Sequence, residues 1–322
     1  MNIRSSLMTA FAAILISQTA QAATLIPIPL YPNSVVTRVI GINNNNVITG
    51  GYVLPGNSES GFFGTIDGTY TPFDFPGSHE DVEGRSVNNS NAIVASVSTS
   101  GVITAFERFA DGTEKSIKVS DYPVDYSFAG GINSKGTFVV ESFTDGVKYS
   151  CYGKNARCKS DLLIFGNSYS NPRGINDHGT VVGFNGAQGW VIYNGVSAWV
   201  NYPGAKYTYL GAVNNKNIAT GVWTEQDNIT SHPFLYDIKS AEFQDFKLPG
   251  LHNTFVVGIN DAGLVLVNSD EGPFVYCTKK KTCPKQGIEV PDGKITKAQL
   301  THSLGSHAIG PDESGKTEVR SQ

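Results

Sequence analysis

Gly174-Ile175-Asn176-Asp177-His178-Gly179-Thr180-Val181-Val182-Gly183 decides the fold, because its pattern returns along the chain. Gly41-Ile42-Asn43, Gly131-Ile132-Asn133 and Gly258-Ile259-Asn260 repeat its opening, and Ser86-Val87-Asn88 and Ala212-Val213-Asn214 are relaxed copies. The six asparagines, Asn43, Asn88, Asn133, Asn176, Asn214 and Asn260, are spaced by 45, 45, 43, 38 and 46 residues. A period of about 40–45 residues filled with short strands is the spacing of propeller blades.

Each copy continues in the same order. One or two turn residues lead to a small apolar strand, here Thr180 to Gly183, and a variable stretch follows. Next comes a strand with a central aromatic, as in Gly189-Trp190-Val191-Ile192-Tyr193 and His232-Pro233-Phe234-Leu235-Tyr236. A tight turn follows, with Asp67-Gly68, Asp111-Gly112 or Asn194-Gly195, dipeptides that tolerate positive φ and suit two-residue hairpins. The unit closes with a strand and a Pro-Gly break, as at Pro76-Gly77, Pro203-Gly204 and Pro249-Gly250. The reading is an all-β propeller, six blades of about four antiparallel strands. One such sheet cannot keep both faces dry, but neighbours in a ring can. The small strand after each Asn is expected to be innermost, where strands crowd at the axis.

The ends bear on closure. Ile26 to Leu30 reads as a last strand with no unit before it, and an N-terminal strand completing the final blade would lock the ring. Ile288 to Gly293 is another last strand, and Leu304 to Gly310 a decayed start. Seven blades therefore stay open at this point.

Arg4, the apolar run Leu7 to Ile16 and Ala20-Gln21-Ala22 form the three regions of a secretory signal, with cleavage expected after Ala22. The expected organisation is a signal at 1–22, one propeller domain at 23–311 and a flexible tail at 312–322. Without Arg4 the chain carries 23 basic against 28 acidic residues, a formal charge of −5. Mild acidity without a basic cluster argues against nucleic acid or anionic lipid as partner. The strands are too short and too broken by Gly and Pro for an outer-membrane barrel. A secreted or periplasmic monomer is expected.

The Gly-Ile-Asn starts, the Val-Val-Gly that follows and the His232 to Tyr236 segment resemble the HAF-type extracellular repeat family of bacterial exported proteins. The His-Ala-Phe element is imperfect here, with Thr104-Ala105-Phe106 in the second unit. The resemblance implies the fold and export, and carries no activity.

The four cysteines form two local pairs, Cys151 with Cys158 and Cys277 with Cys283. Counted from the motif Asn, both pairs fall in the same slot of their units, between the aromatic strand and the last strand. Cross-hairpin disulfides in an oxidising compartment are expected, not a metal site.

Catalytic motifs are missing: there is no metalloprotease helix, nucleophile elbow or phosphate loop in the sequence. His79 and His252 recur at equivalent places after Pro-Gly, which favours a structural role. Asp67, Asp111, Asp145, Asp177 and Asp261 are explained by turn chemistry. No cofactor, metal or catalytic residue is assigned. What remains are the connections between blades, with Tyr126, Tyr207, Tyr209, His79 and His252 as candidate ligand contacts, since rings with polar tips suit carbohydrate or protein. The expected function is a non-catalytic binding or scaffold propeller for an unknown protein or glycan. The alternative is an extracellular polysaccharide-active hydrolase or lyase. Carboxylates from different blades converging at the channel mouth would favour the enzyme.

Overall fold

A computed structural model describes residues 23–75, 81–120, 124–164, 170–225, 231–248, 250–284 and 288–290. Strand β1 spans Ala23–Pro27. The first blade contains β2 (Val36–Ile42), β3 (Val47–Val53), β4 (Glu59–Thr65) and β5 (Tyr70–Phe73). The second contains β6 (Asp81–Val87), β7 (Ile93–Thr99), β8 (Val102–Arg108) and β9 (Glu114–Ser116). The third has β10 (Tyr126–Ile132), β11 (Phe138–Thr144), β12 (Val147–Gly153) and β13 (Cys158–Asp161). The fourth has β14 (Asn171–Ile175), β15 (Val181–Asn185), β16 (Gln188–Tyr193) and β17 (Val196–Val200). The fifth has β18 (Tyr207–Val213), β19 (Ile218–Thr224), β20 (Ser231–Asp237) and β21 (Glu242–Asp245). The sixth is built from β22 (Phe255–Ile259), β23 (Leu264–Ser269), β24 (Gly272–Cys277), β1 and β25 (Ile288–Val290). Every sheet is an antiparallel meander in chain order except the last, whose order is β22-β23-β24-β1-β25. The fold is a six-bladed β-propeller.

One of the three expected two-residue hairpins forms as such: Asn194 and Gly195 both hold positive φ, 51° and 76°, between β16 and β17. At Asp67-Gly68 and Asp111-Gly112 only the glycine takes positive φ, and the turns are longer, closed by Thr65 to Thr69 and Phe109 to Thr113 backbone bonds. Six apolar clusters fill the six gaps between neighbouring blades. One joins Trp190 and Val181 of the fourth blade to Leu162 and Val139 of the third. Another sets Phe234 of the fifth against Val182 of the fourth. Trp190, Phe62, Phe234 and Phe274 are fully buried, so the large rings fill the wide spaces as expected. The Gly of Val-Val-Gly serves them: a Cβ on Gly183 would lie 2.6 Å from the Trp190 ring.

The innermost strand is corrected. The motif ends it and does not precede it. Strands β2, β6, β10, β14, β18 and β22 lie side by side around the axis and line the channel. Gly-Ile-Asn is small at its first position because these backbones nearly touch; a Cβ on Gly174 would sit 2.9 Å from Ala212 Cα.

Ring closure is as expected. β1 pairs with β24, Leu25 opposite Tyr276 and Ile26 opposite Val275, in the place that the fourth strand holds elsewhere. Leu25, Ile26 and Ile28 are buried in the clusters on either side of the sixth blade. β25 is a fifth, outer strand on β1 and not the fourth strand of its blade. Leu304 to Gly310 lies outside the described residues.

Both disulfides are present, Cys151–Cys158 and Cys277–Cys283. Their slots differ, which corrects the expectation. Cys151 pairs with Val140, seven residues past its motif Asn, whereas Cys277 pairs with Leu264, four past its own. The β23–β24 hairpin is shorter than β11–β12, so equal counts along the chain reach different levels. The first bridge ties β12 to β13; the second ties the end of β24 to a short helical turn (Lys280–Thr282), since the fourth strand comes from the other end of the chain. No helix among the described residues is long and apolar enough to cross a membrane.

Candidate functional site in the central channel

The channel narrows where the inner strands end. There each motif Asn is buried and makes three hydrogen bonds in common, to which Asn43, Asn176 and Asn260 add a fourth. Its Oδ1 accepts the backbone N–H groups two and four residues on, at 2.9–3.1 Å, which shapes the turn into the second strand. Its Nδ2 donates to the backbone carbonyl of the next blade's motif Asn at 2.8–3.2 Å. The six donations form a closed circle. A second, outer circle uses the next residue, for example Ser134 N–H to Asp177 Oδ1 and Asn215 N–H to Asp261 Oδ1. This corrects the expectation for Asp177 and Asp261, whose carboxylates bond the neighbouring blade while the motif Asn shapes their own turns. Just inside the circles, Ile42, Val87, Ile132, Ile175, Val213 and Ile259 form an apolar partition between the channel and a shallow outer dimple.

Beyond the partition the channel opens to about 360 Å³. Each inner strand carries a β-bulge at the same level, three residues before its motif Asn. A bulge re-aims the side chain it carries, and residues at this level line the channel: Ile40, Arg85, Gly130, Arg173, Gly211 and Val257. Four are apolar or absent; two are arginines.

Arg85 pairs with Glu83 at 2.6 Å and lies over the Phe128 ring, 4.4 Å from its centroid. Arg173 lies over Phe128 and Phe184, at 4.9 and 5.0 Å. Its Nη1 is buried with no hydrogen-bond partner. Burial, then the nearby Arg85 charge, lowers its pKa to about 10. Glu141 faces it from β11, with Oε2 buried and unpartnered, and burial raises this carboxyl above the usual range. No ion pair within 4 Å joins the two among the described residues. Higher in the channel, Tyr209 packs edge-on to Phe184 at 4.9 Å, and Phe255 is 54% exposed.

Of the residues singled out in the sequence, Tyr126, Tyr207 and Tyr209 lie on inner strands at or near the open mouth, and none is fully buried. Tyr209 lines the channel and stacks on Tyr207 at 6.0 Å; burial raises its pKa. Tyr126 stacks on Phe143 at 5.6 Å. His252 is exposed but held by Glu271 of its own blade, Nδ1 to Oε1 at 2.5 Å, which raises its pKa. His79 lies outside the described residues. The arginines were not singled out; the cue was available, since Arg stands three residues before Asn88 and Asn176.

A second charged group bridges the first two blades. Glu59 Oε2 accepts from Arg38 Nη2 at 2.6 Å, and the Glu59 N–H donates to Asp81 Oδ1 at 2.9 Å. Burial and then Glu83 push the Glu59 carboxyl up to about 7. Its Oε1 is buried and unpartnered. Among the described residues, no group of three His, Cys, Asp or Glu side chains is placed to hold a metal.

No family model and no curated protein matches the sequence. Solved structures do. A TolB structure from Agrobacterium tumefaciens is 11% identical, with 70% of this chain and 87% of that chain covered at TM-score 0.51. TolB from Acinetobacter baumannii is 10% identical, with 73% and 64% covered at TM-score 0.50. A streptogramin B lyase is 13% identical, with 79% and 97% covered at TM-score 0.46. At these identities the likeness to the two TolB structures is one of fold alone.

Proposed function

We propose that this protein is an exported, non-catalytic binding propeller of the HAF-type repeat family whose ligand, part of a protein or glycan, enters the channel at its open mouth. One observation carries the reading. The repeat is nearly symmetric in its core and its asparagine circle, and it departs from symmetry inside the channel: Arg85 and Arg173 stand at the level that holds Ile40, Gly130, Gly211 and Val257 in the other blades, and Tyr209 and Phe255 at the level that holds Arg38, Glu83, Phe128 and Asn171. Structure is served by repetition; a specific ligand needs particular groups at particular places. The two disulfides fit an oxidising compartment and so support export. The test is a panel of glycans and peptides against the purified protein and a Tyr209→Ala/Phe255→Ala variant. Binding lost in the variant, with an unchanged melting temperature, supports the channel. Equal binding by both proteins moves the site elsewhere.

A second reading, a polysaccharide-active enzyme, is favoured by Glu59 and Glu83. They are carboxylates from different blades, and one is held near neutrality, as a general acid requires. Turnover of a polymer that Glu59→Gln abolishes would establish it.

A further inference from the structure

Arg173 is the least satisfied charged group lining the channel. It sits at a bulge, between two rings, with a buried N–H group that bonds to nothing. An unpaired buried donor is costly, more so when charged. At the same level its neighbours on either side are Gly130 and Gly211, so neither adjoining blade sets a bulge side chain against it. Arg85 lies across the Phe128 ring but is already committed to Glu83.

We infer that the channel binds a small organic carboxylate, its oxyanion head on Arg173 and its apolar body against Phe184, Tyr209 and Phe255. The inference rests on the reading of the open mouth as the binding site, and adds the chemical class of the ligand. A guanidinium offers two parallel N–H donors that match a carboxylate. The cavity of about 360 Å³ lies within the range of small-molecule pockets. Charge decides between carboxylate and phosphate. Glu83 neutralises Arg85, whereas Arg173 makes no ion pair with Glu141, so one guanidinium is left to face one negative charge. A phosphate dianion would meet both acidic residues.

The experiment is calorimetric titration of the purified protein with 4-bromobenzoate, 4-bromobenzamide and phenyl phosphate. Benzoate is expected to bind at least about tenfold tighter than the other two, the effect of one charge-assisted hydrogen bond. Arg173→Gln should lose that factor, and Arg173→Lys should recover part of it. Lys216→Ala, on the far side of the asparagine circle, should change nothing. A crystal of the unaltered protein with 4-bromobenzoate should place bromine in the channel, whatever the fate of the variants. Equal affinity for acid and amide, tighter binding of phosphate, undiminished binding by Arg173→Gln, or no binding of benzoate overturns the inference. If acid and amide bind alike and Tyr209→Ala weakens both, the carboxylate is wrong while the channel stands. If the Tyr209→Ala/Phe255→Ala variant keeps every ligand of the panel, the channel reading itself falls.

Discussion

The side-chain amide of Asn260 donates to the backbone carbonyl of Asn43 at 3.2 Å, joining residues 217 apart in the chain. It is the sixth link of the asparagine circle and the one that spans the join of first and last blades. Each circle member bonds two backbone donors, partly buried at Asn133, and one buried carbonyl. Replacing Asn133 by Ala is therefore expected to cost about 2–4 kcal/mol, since several buried or partly buried groups lose partners at once. Chemical denaturation of the Asn133→Ala variant measures this. A loss below about 1 kcal/mol would mean that water restores the bonds.

Strand β1 is the clasp. Leu25 is 1% exposed and touches the core between the fifth and sixth blades. Leu25→Ala should destabilise by about 2–5 kcal/mol. Deleting residues 23–30 should do more, leaving β24 with a bare edge and two core clusters open. The expected readout is loss of a single sharp thermal transition, with aggregation.

Glu59 links stability to pH. Its folded pKa, about 7, lies above the usual 4.5, so the folded chain keeps a proton that the unfolded chain releases. The stability tied to this group is complete below about 4.5 and is lost as pH rises through 7. The melting temperature should fall between pH 5 and 8, and Glu59→Gln should flatten that slope. An unchanged slope would assign the carboxyl a normal pKa.

Reduction of the two disulfides opens loops of six and seven residues in sequence separation. Chain entropy gives about 2–2.5 kcal/mol for each such loop. Treatment with a thiol should lower the melting temperature, and Cys151→Ser/Cys158→Ser should reproduce part of the drop.

The blade count, the places of the hairpin turns, the closing N-terminal strand and the cysteine pairing were legible because each recurs or obeys local chemistry. Asn176 and its copies announced themselves by period alone. Arg85 and Arg173 did not, for a physical reason. The motif was read as the start of the inner strand, so residues before it were assigned to loops. The bulge at each of these positions also shifts the alternation of side chains by one, so that counting by twos from Asn176 misplaces Arg173. Tyr209 was found because aromatics in the connections between blades were sought, and Phe255 was overlooked although it holds the matching place in the next blade. The disulfide slots were misjudged because counting along the chain ignores hairpin length.

The partition of Ile42, Val87, Ile132, Ile175, Val213 and Ile259, backed by the asparagine circle, makes the channel a blind well. A polymer cannot thread through the ring. Whatever occupies it must present a free tip or a narrow side group, and must depart by the way it came, so the aromatic rim that admits a guest also governs how long it stays.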